Sequence, residues 1–175
     1  MKRTSGIAFA VSALVVACAI TYAEKERASP HETVNATVGG KKIAISYGRP
    51  FKKGREIFGG LVPWGQVWRT GADEATTLTT DGDLTIGDLK VPKGSYALFT
   101  VPGQKDWQLI VNKTAKQWGA FRYDAKEDLG KTSLKLSAAA TPVEQFTISI
   151  EPAGDKKATL KLAWDKSIAT VGIAP

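Results

Sequence analysis

One pattern constrains this chain more than any other: short runs rich in Val, Ile, Leu, Thr and aromatic residues recur along it, each closed by Gly, Asp, Lys or Pro. Side chains alternate across a pleated strand, so a half-buried strand reads apolar and polar by turns. Phe146, Ile148 and Ile150 fall on one side of Val143–Glu151, with Gln145, Thr147 and Ser149 on the other. Leu160, Leu162 and Trp164 repeat the pattern with Lys161 opposite. Further strands are expected at Thr33–Val38, Lys42–Tyr47, Ala75–Thr80, Leu84–Ile86, Leu89–Val91, Ser95–Val101, Trp107–Asn112, Lys131–Ala138, Ala158–Trp164 and Ser167–Ile173. Gly39-Gly40 between the first two is a hairpin turn, because both central residues of a two-residue turn need positive φ. About ten such strands predict an all-β fold, an antiparallel, jelly-roll-like β-sandwich. Thr114–Gly119 and Ala125–Leu129 have room for a helical turn or two, and no long amphipathic helix is expected.

The N-terminus reads differently. Lys2 and Arg3 precede an uncharged apolar stretch from Ile7 to Ile20, and the first acid is Glu24. This is the order of a secretion signal, and the stretch is shorter than the roughly 20 residues of a spanning helix. Two cleavage points compete. Thr21-Tyr22-Ala23 suits ordinary signal peptidase, whereas Val15-Val16-Ala17-Cys18 resembles a lipobox that would leave Cys18 lipidated at the mature terminus. The expected organisation is a signal over residues 1–23, a linker over 24–32 and one β domain over 33–175. The expected location is the bacterial periplasm or outer membrane, with a lipid anchor as the sole membrane attachment, or outside the cell.

Cys18 is the single cysteine, so no intramolecular disulfide can form and the domain must rest on a packed core. Loss of Lys2 and Arg3 lowers the formal charge from +7 to +5. The lysines are dispersed, a pattern that favours anionic surroundings such as envelope components and gives no nucleic-acid footprint.

The stretch from Gly48 to Ala72, GRPFKKGREIFGGLVPWGQVWRTGA, departs from strand patterning. It carries six glycines and two prolines, and its aromatic content argues against disorder. Connections this long are usually functional. Its motifs are Tyr47-Gly48-Arg49-Pro50, Lys53-Gly54-Arg55-Glu56-Ile57-Phe58-Gly59 and Leu61-Val62-Pro63-Trp64-Gly65-Gln66-Val67-Trp68-Arg69-Thr70-Gly71-Ala72-Asp73-Glu74-Ala75-Thr76. With Ser29-Pro30 and Val91-Pro92-Lys93-Gly94-Ser95-Tyr96-Ala97-Leu98-Phe99-Thr100, they make the chain resemble a family of secreted bacterial proteins catalogued as domain of unknown function 2911. That resemblance implies no reaction, substrate or catalytic residue.

Arg49, Lys53, Arg55, Trp64, Arg69 and Glu74 are the candidate ligand-binding residues. Guanidinium forks suit carboxylate, phosphate or sulfate, and an aromatic face suits a sugar ring, so the expected partner is an anionic or glycan small ligand or an envelope component. Asp73 and Glu74 are the weak catalytic candidates, as acid/base groups beside arginine. In the competing structural reading, Arg69 pairs with Glu74 across the Gly71 turn and simply pins the loop. His31, the sole histidine, is expected to be a bystander near the terminus; no metal site or cofactor is assigned. Asp81, Asp83 and Asp88 read as turn residues, since no glutamate closes a calcium loop. Gly54-x4-Gly59 lacks the Lys-Ser/Thr of a phosphate loop, and Arg69-Thr70-Gly71 has no accompanying Ser-x-x-Lys.

Overall fold

The computed structural model describes residues 27–175; the expected signal segment and Cys18 lie outside the described residues. Nine strands follow in order: β1 (His31–Val38), β2 (Lys41–Gly48), β3 (Ala72–Thr80), β4 (Leu84–Ile86), β5 (Leu89–Val91), β6 (Gly94–Val101), β7 (Trp107–Asn112), β8 (Asp128–Pro152) and β9 (Ala158–Ala174). The expected all-β antiparallel fold is the one observed. The β1–β2 turn has Gly39 at φ 56° and Gly40 at φ 82°, as its length demands. Of the two expected helical segments, only Ala125–Glu127 forms a turn of 3-10 helix, capped by the Asp124 side chain. Strand β1 begins at His31, inside the stretch expected to be linker.

The strands hydrogen-bond in the order β1-β2-β3-β6-β7-β8-β9-β4-β5, one continuous sheet. It folds over through β8, whose first residues pair with β7 and whose remainder, from Lys135 on, pairs with β9. Sequence patterning divides β8 and β9 into two strands each, because Pro142 and Asp165 interrupt the alternation. The backbone instead runs through both as irregularities: the β8–β9 register shifts on either side of Val143, which pairs with Asp165, and Asp165 adopts φ 50°. Proline is tolerated in a strand at such a bulge, where its missing N–H costs no ladder bond.

Folding the sheet back brings β2 onto the far half of β8. The Tyr47 and Phe146 rings meet edge to face at 5.7 Å, and the Tyr47 hydroxyl accepts a 2.9 Å hydrogen bond from the Ile148 backbone N–H. The β2–β3 connection supplies the core as well: Ile57, Val62 and Trp68 are buried, and Phe58 packs on Trp107 at 4.5 Å. Each such ring contributes roughly 150–250 Å² of burial. A long segment with little regular structure is therefore held as firmly as a strand.

Candidate functional site

The β2–β3 connection is stitched down along its length. Lys52 N–H donates to Glu144 O, Gly65 N–H to Pro102 O, and Trp68 exchanges 2.8 and 2.9 Å backbone bonds with Thr100. Two glycines let its ends close. A Cβ on Gly48 would stand 2.4 Å from the Ala72 carbonyl oxygen, and one on Gly71 would stand 2.9 Å from the Gly48 oxygen. The ends of β1, β2 and β3 thus lie in one row, His31 beside Gly48 and Gly48 beside Ala72.

Under this row is a cleft of about 420 Å³, floored by Trp68 and Trp164 and lined by Lys53, Arg55, Arg69, Asp73 and the Ala28-Ser29 backbone segment. Its floor is held by the aromatic core, Trp68 stacking on Trp164 at 5.8 Å. Three of the six expected binding residues meet here: Lys53, Arg55 and Arg69. Arg55 is oriented by bonds from its guanidinium to the Lys52 and Phe51 carbonyls. Trp64, 38 % exposed and stacked on Phe58 at 6.1 Å, lines a neighbouring depression with Arg55, Phe58 and Asp165. Arg49 takes a structural role, donating to Phe146 O and Thr147 Oγ1 and pairing with Glu32 at 2.6 Å.

Arg69 differs from its neighbours. Its Nε is buried without a hydrogen-bond partner, and its guanidinium makes no hydrogen bond or ion pair among the described residues. Burial pushes its pKa down, against the attraction of Asp73, yet an arginine keeps its charge at any ordinary pH. The expected Arg69–Glu74 pair across Gly71 does not form. Glu74 turns to the other side of the strand end, where Arg27 Nη1 donates to it at 2.8 Å. Burial works to raise the Glu74 pKa, but its own backbone N–H, the Arg27 hydrogen bond and charge, and His31 together hold it below the usual carboxylate range. A proton-holding acid at Glu74 is thereby disfavoured.

His31, expected to be a bystander, is in contact with both carboxylates. Its Nε2 lies 3.1 Å from Asp73 Oδ2 and 3.5 Å from Glu74 Oε2. Sequence reasoning missed it because the contact spans 42 residues and depends on strand register. The backbone around it is unusual. Thr70 and Asp73 adopt φ 58° and 61°, left-handed values that cost a non-glycine residue about 1–2 kcal/mol and concentrate at functional sites. The segment after β7 pins them: Gly119 N–H donates to Asp73 O, and Ala75 N–H donates to Gln117 O.

No curated protein and no solved structure matches the chain. The profile of the family described as "Protein of unknown function (DUF2911)" matches residues 29–173, the whole β domain with its Ser29-Pro30 entry and the cleft-forming connection. The chain is a member of the DUF2911 family.

Proposed function

We propose that this protein is an exported bacterial envelope module that binds a small anionic ligand in the cleft under the β2–β3 connection, without catalysing a reaction on it. The carrying observation is Arg69. Its buried Nε–H, without a partner among the described residues, costs about 1–3 kcal/mol, and a carboxylate, phosphate or sulfate group reaching the cleft would satisfy it while Lys53 and Arg55 add positive charge at the rim. The apolar floor of Trp68 and Trp164 suits the non-polar body of such a ligand, as in most small-molecule pockets. Trp64, beyond Arg55, lies where an acidic sugar long enough to leave the cleft would stack.

The test is a thermal-shift screen of organic acids, phosphorylated and sulfated metabolites and acidic glycan fragments. A true ligand at a hundredfold excess over its Kd adds about 2.7 kcal/mol of stability. Arg69→Ala should remove that gain, and Lys53→Ala with Arg55→Ala should reduce it. A stabilising ligand whose effect survives Arg69→Ala would place the site elsewhere. Export rests on the N-terminal charge and hydropathy pattern. Intact-mass measurement on membrane and soluble fractions tests it, a diacylated or triacylated Cys18 marking the anchored form and a terminus at Glu24 the soluble one.

A further inference from the structure

Beside the cleft, where the ends of β1 and β3 flank Gly48 of β2, one imidazole and two carboxylates face a common point. His31, Asp73 and Glu74 each offer a ligand atom within 4.8 Å of the other two, with His31 Nε2 3.1 Å from Asp73 Oδ2 and 3.5 Å from Glu74 Oε2. We propose that these three groups bind a single first-row divalent cation of the zinc type, at a site distinct from the Arg69 anion pocket.

The spacing fits. Ligands about 2.1 Å from one ion stand about 3.0 Å apart at right angles and about 3.4 Å apart in a tetrahedron. The His31–Asp73 and His31–Glu74 separations are 3.1 and 3.5 Å. One imidazole with two carboxylates is a borderline nitrogen and oxygen set, suited to Zn²⁺ and its neighbours rather than to the all-oxygen preferences of Ca²⁺ or Mg²⁺.

Such convergence is not an incidental result of sheet geometry. Consecutive strand residues point to opposite faces, so Asp73 and Glu74 should diverge. The left-handed turn at Asp73 reverses that divergence, and the Gly119 bond to the Asp73 carbonyl holds it.

A cation already stands among these groups. Arg27 Nη1 lies 2.8 Å from Glu74 Oε2 and 2.9 Å from His31 Nε2. Arg27 Nη1 also lies 3.3 Å from His31 Nδ1, so with its proton on Nε2 the ring donates to Asp73 and accepts from Arg27. With the proton on Nδ1 instead, the Nε2 lone pair faces both carboxylates. A metal ion takes the Nε2 lone pair and both carboxylates at once. Arg27 is an exposed, long side chain, 47 % accessible, that can swing clear. Asp73 also lines the cleft, so the remaining coordination positions on that side would open toward it for water or a ligand oxygen.

The test uses the untagged full-length chain, stripped with chelator and titrated with Co²⁺ and then Zn²⁺. One equivalent of Co²⁺ should give visible absorption bands that Zn²⁺ abolishes. Because the chain has a single histidine, its imidazole proton signals report the site without any substitution, and Zn²⁺ should move or broaden them at one equivalent. His31→Gln and Asp73→Asn should each weaken Zn²⁺ binding by about tenfold or more, with unchanged far-ultraviolet circular dichroism. Arg27→Ala, which removes the competing cation, should strengthen it several-fold. Arg69→Ala, which takes a positive charge away from Asp73, should retain Zn²⁺ binding at one equivalent while anion binding is lost, which separates this site from the anion pocket. Histidine signals indifferent to saturating Zn²⁺, or an affinity undiminished in a folded His31→Gln protein, would overturn the assignment.

Discussion

Trp68, near the β3 end of the long β2–β3 connection, stacks on Trp164 of β9 at 5.8 Å with the ring planes 18° apart. The contact joins a segment without regular structure to β9, next to the Asp165 irregularity in its pairing with β8, and the same two rings floor the cleft. Trp164→Ala should therefore cost about 3–5 kcal/mol and abolish binding in the cleft together with stability. Urea unfolding followed by fluorescence and circular dichroism measures the first. A loss under about 1 kcal/mol would mean that the connection packs independently of β9.

Arg69 separates stability from function. Methionine has a similar length and no unsatisfied donor, so Arg69→Met removes the penalty of the buried Nε–H, which has no partner among the described residues. The ligand-free variant should be as stable as the parent or more stable by about 1 kcal/mol, while anion binding is lost. Thermal melts with and without the ligand distinguish this from a structural arginine, whose replacement would lower the melting temperature in both conditions.

Gly48 and Gly54 predict contrasting costs. At Gly48 a methyl group would press on the Ala72 carbonyl at 2.4 Å, so Gly48→Ala must separate β2 from β3 and should cost about 1–3 kcal/mol. It should also weaken both the cleft and the His31 cluster, which depend on that row. Gly54 has φ 72° and open space around its Cβ position, so Gly54→Ala should cost about 1 kcal/mol from backbone strain alone and leave ligand binding intact. Equal losses of binding in the two variants would contradict this account.

Tyr123 gives a pH signature. Burial raises its pKa above the ordinary 10.0, and the Asp128 carboxylate, which accepts its hydroxyl proton at 2.7 Å, raises it further with help from Asp124. A raised pKa for a group that ionises to an anion means the folded state holds the proton more tightly than the unfolded state. This contribution is complete below about pH 10 and is lost as pH climbs from there toward the folded value. Wild-type stability should fall more steeply above pH 10 than that of Tyr123→Phe, measured by denaturant unfolding across pH 8–12. Parallel curves would show that Tyr123 does not contribute.

Local sequence determined the strands, because period-two alternation and turn residues report on each residue's immediate neighbours. Phe146, Ile148 and Ile150 read correctly as one face, and Gly39-Gly40 as a hairpin. The same locality misled at Pro142 and Asp165, where a bulge on one strand is accommodated by a kink on the other and the pair continues as two long strands. The cationic residues of the connection were legible as a group, since their composition is unusual wherever they point. Which of them would be free was not: Arg49 is taken up by Phe146 and Thr147 of β8, nearly a hundred residues away, while Arg69 has no partner among the described residues. The position of His31 was least accessible of all. Its meeting with Asp73 and Glu74 depends on the register of β1, β2 and β3 and on a left-handed residue at the strand start, and both are set by long-range backbone pairing that no single stretch of sequence encodes.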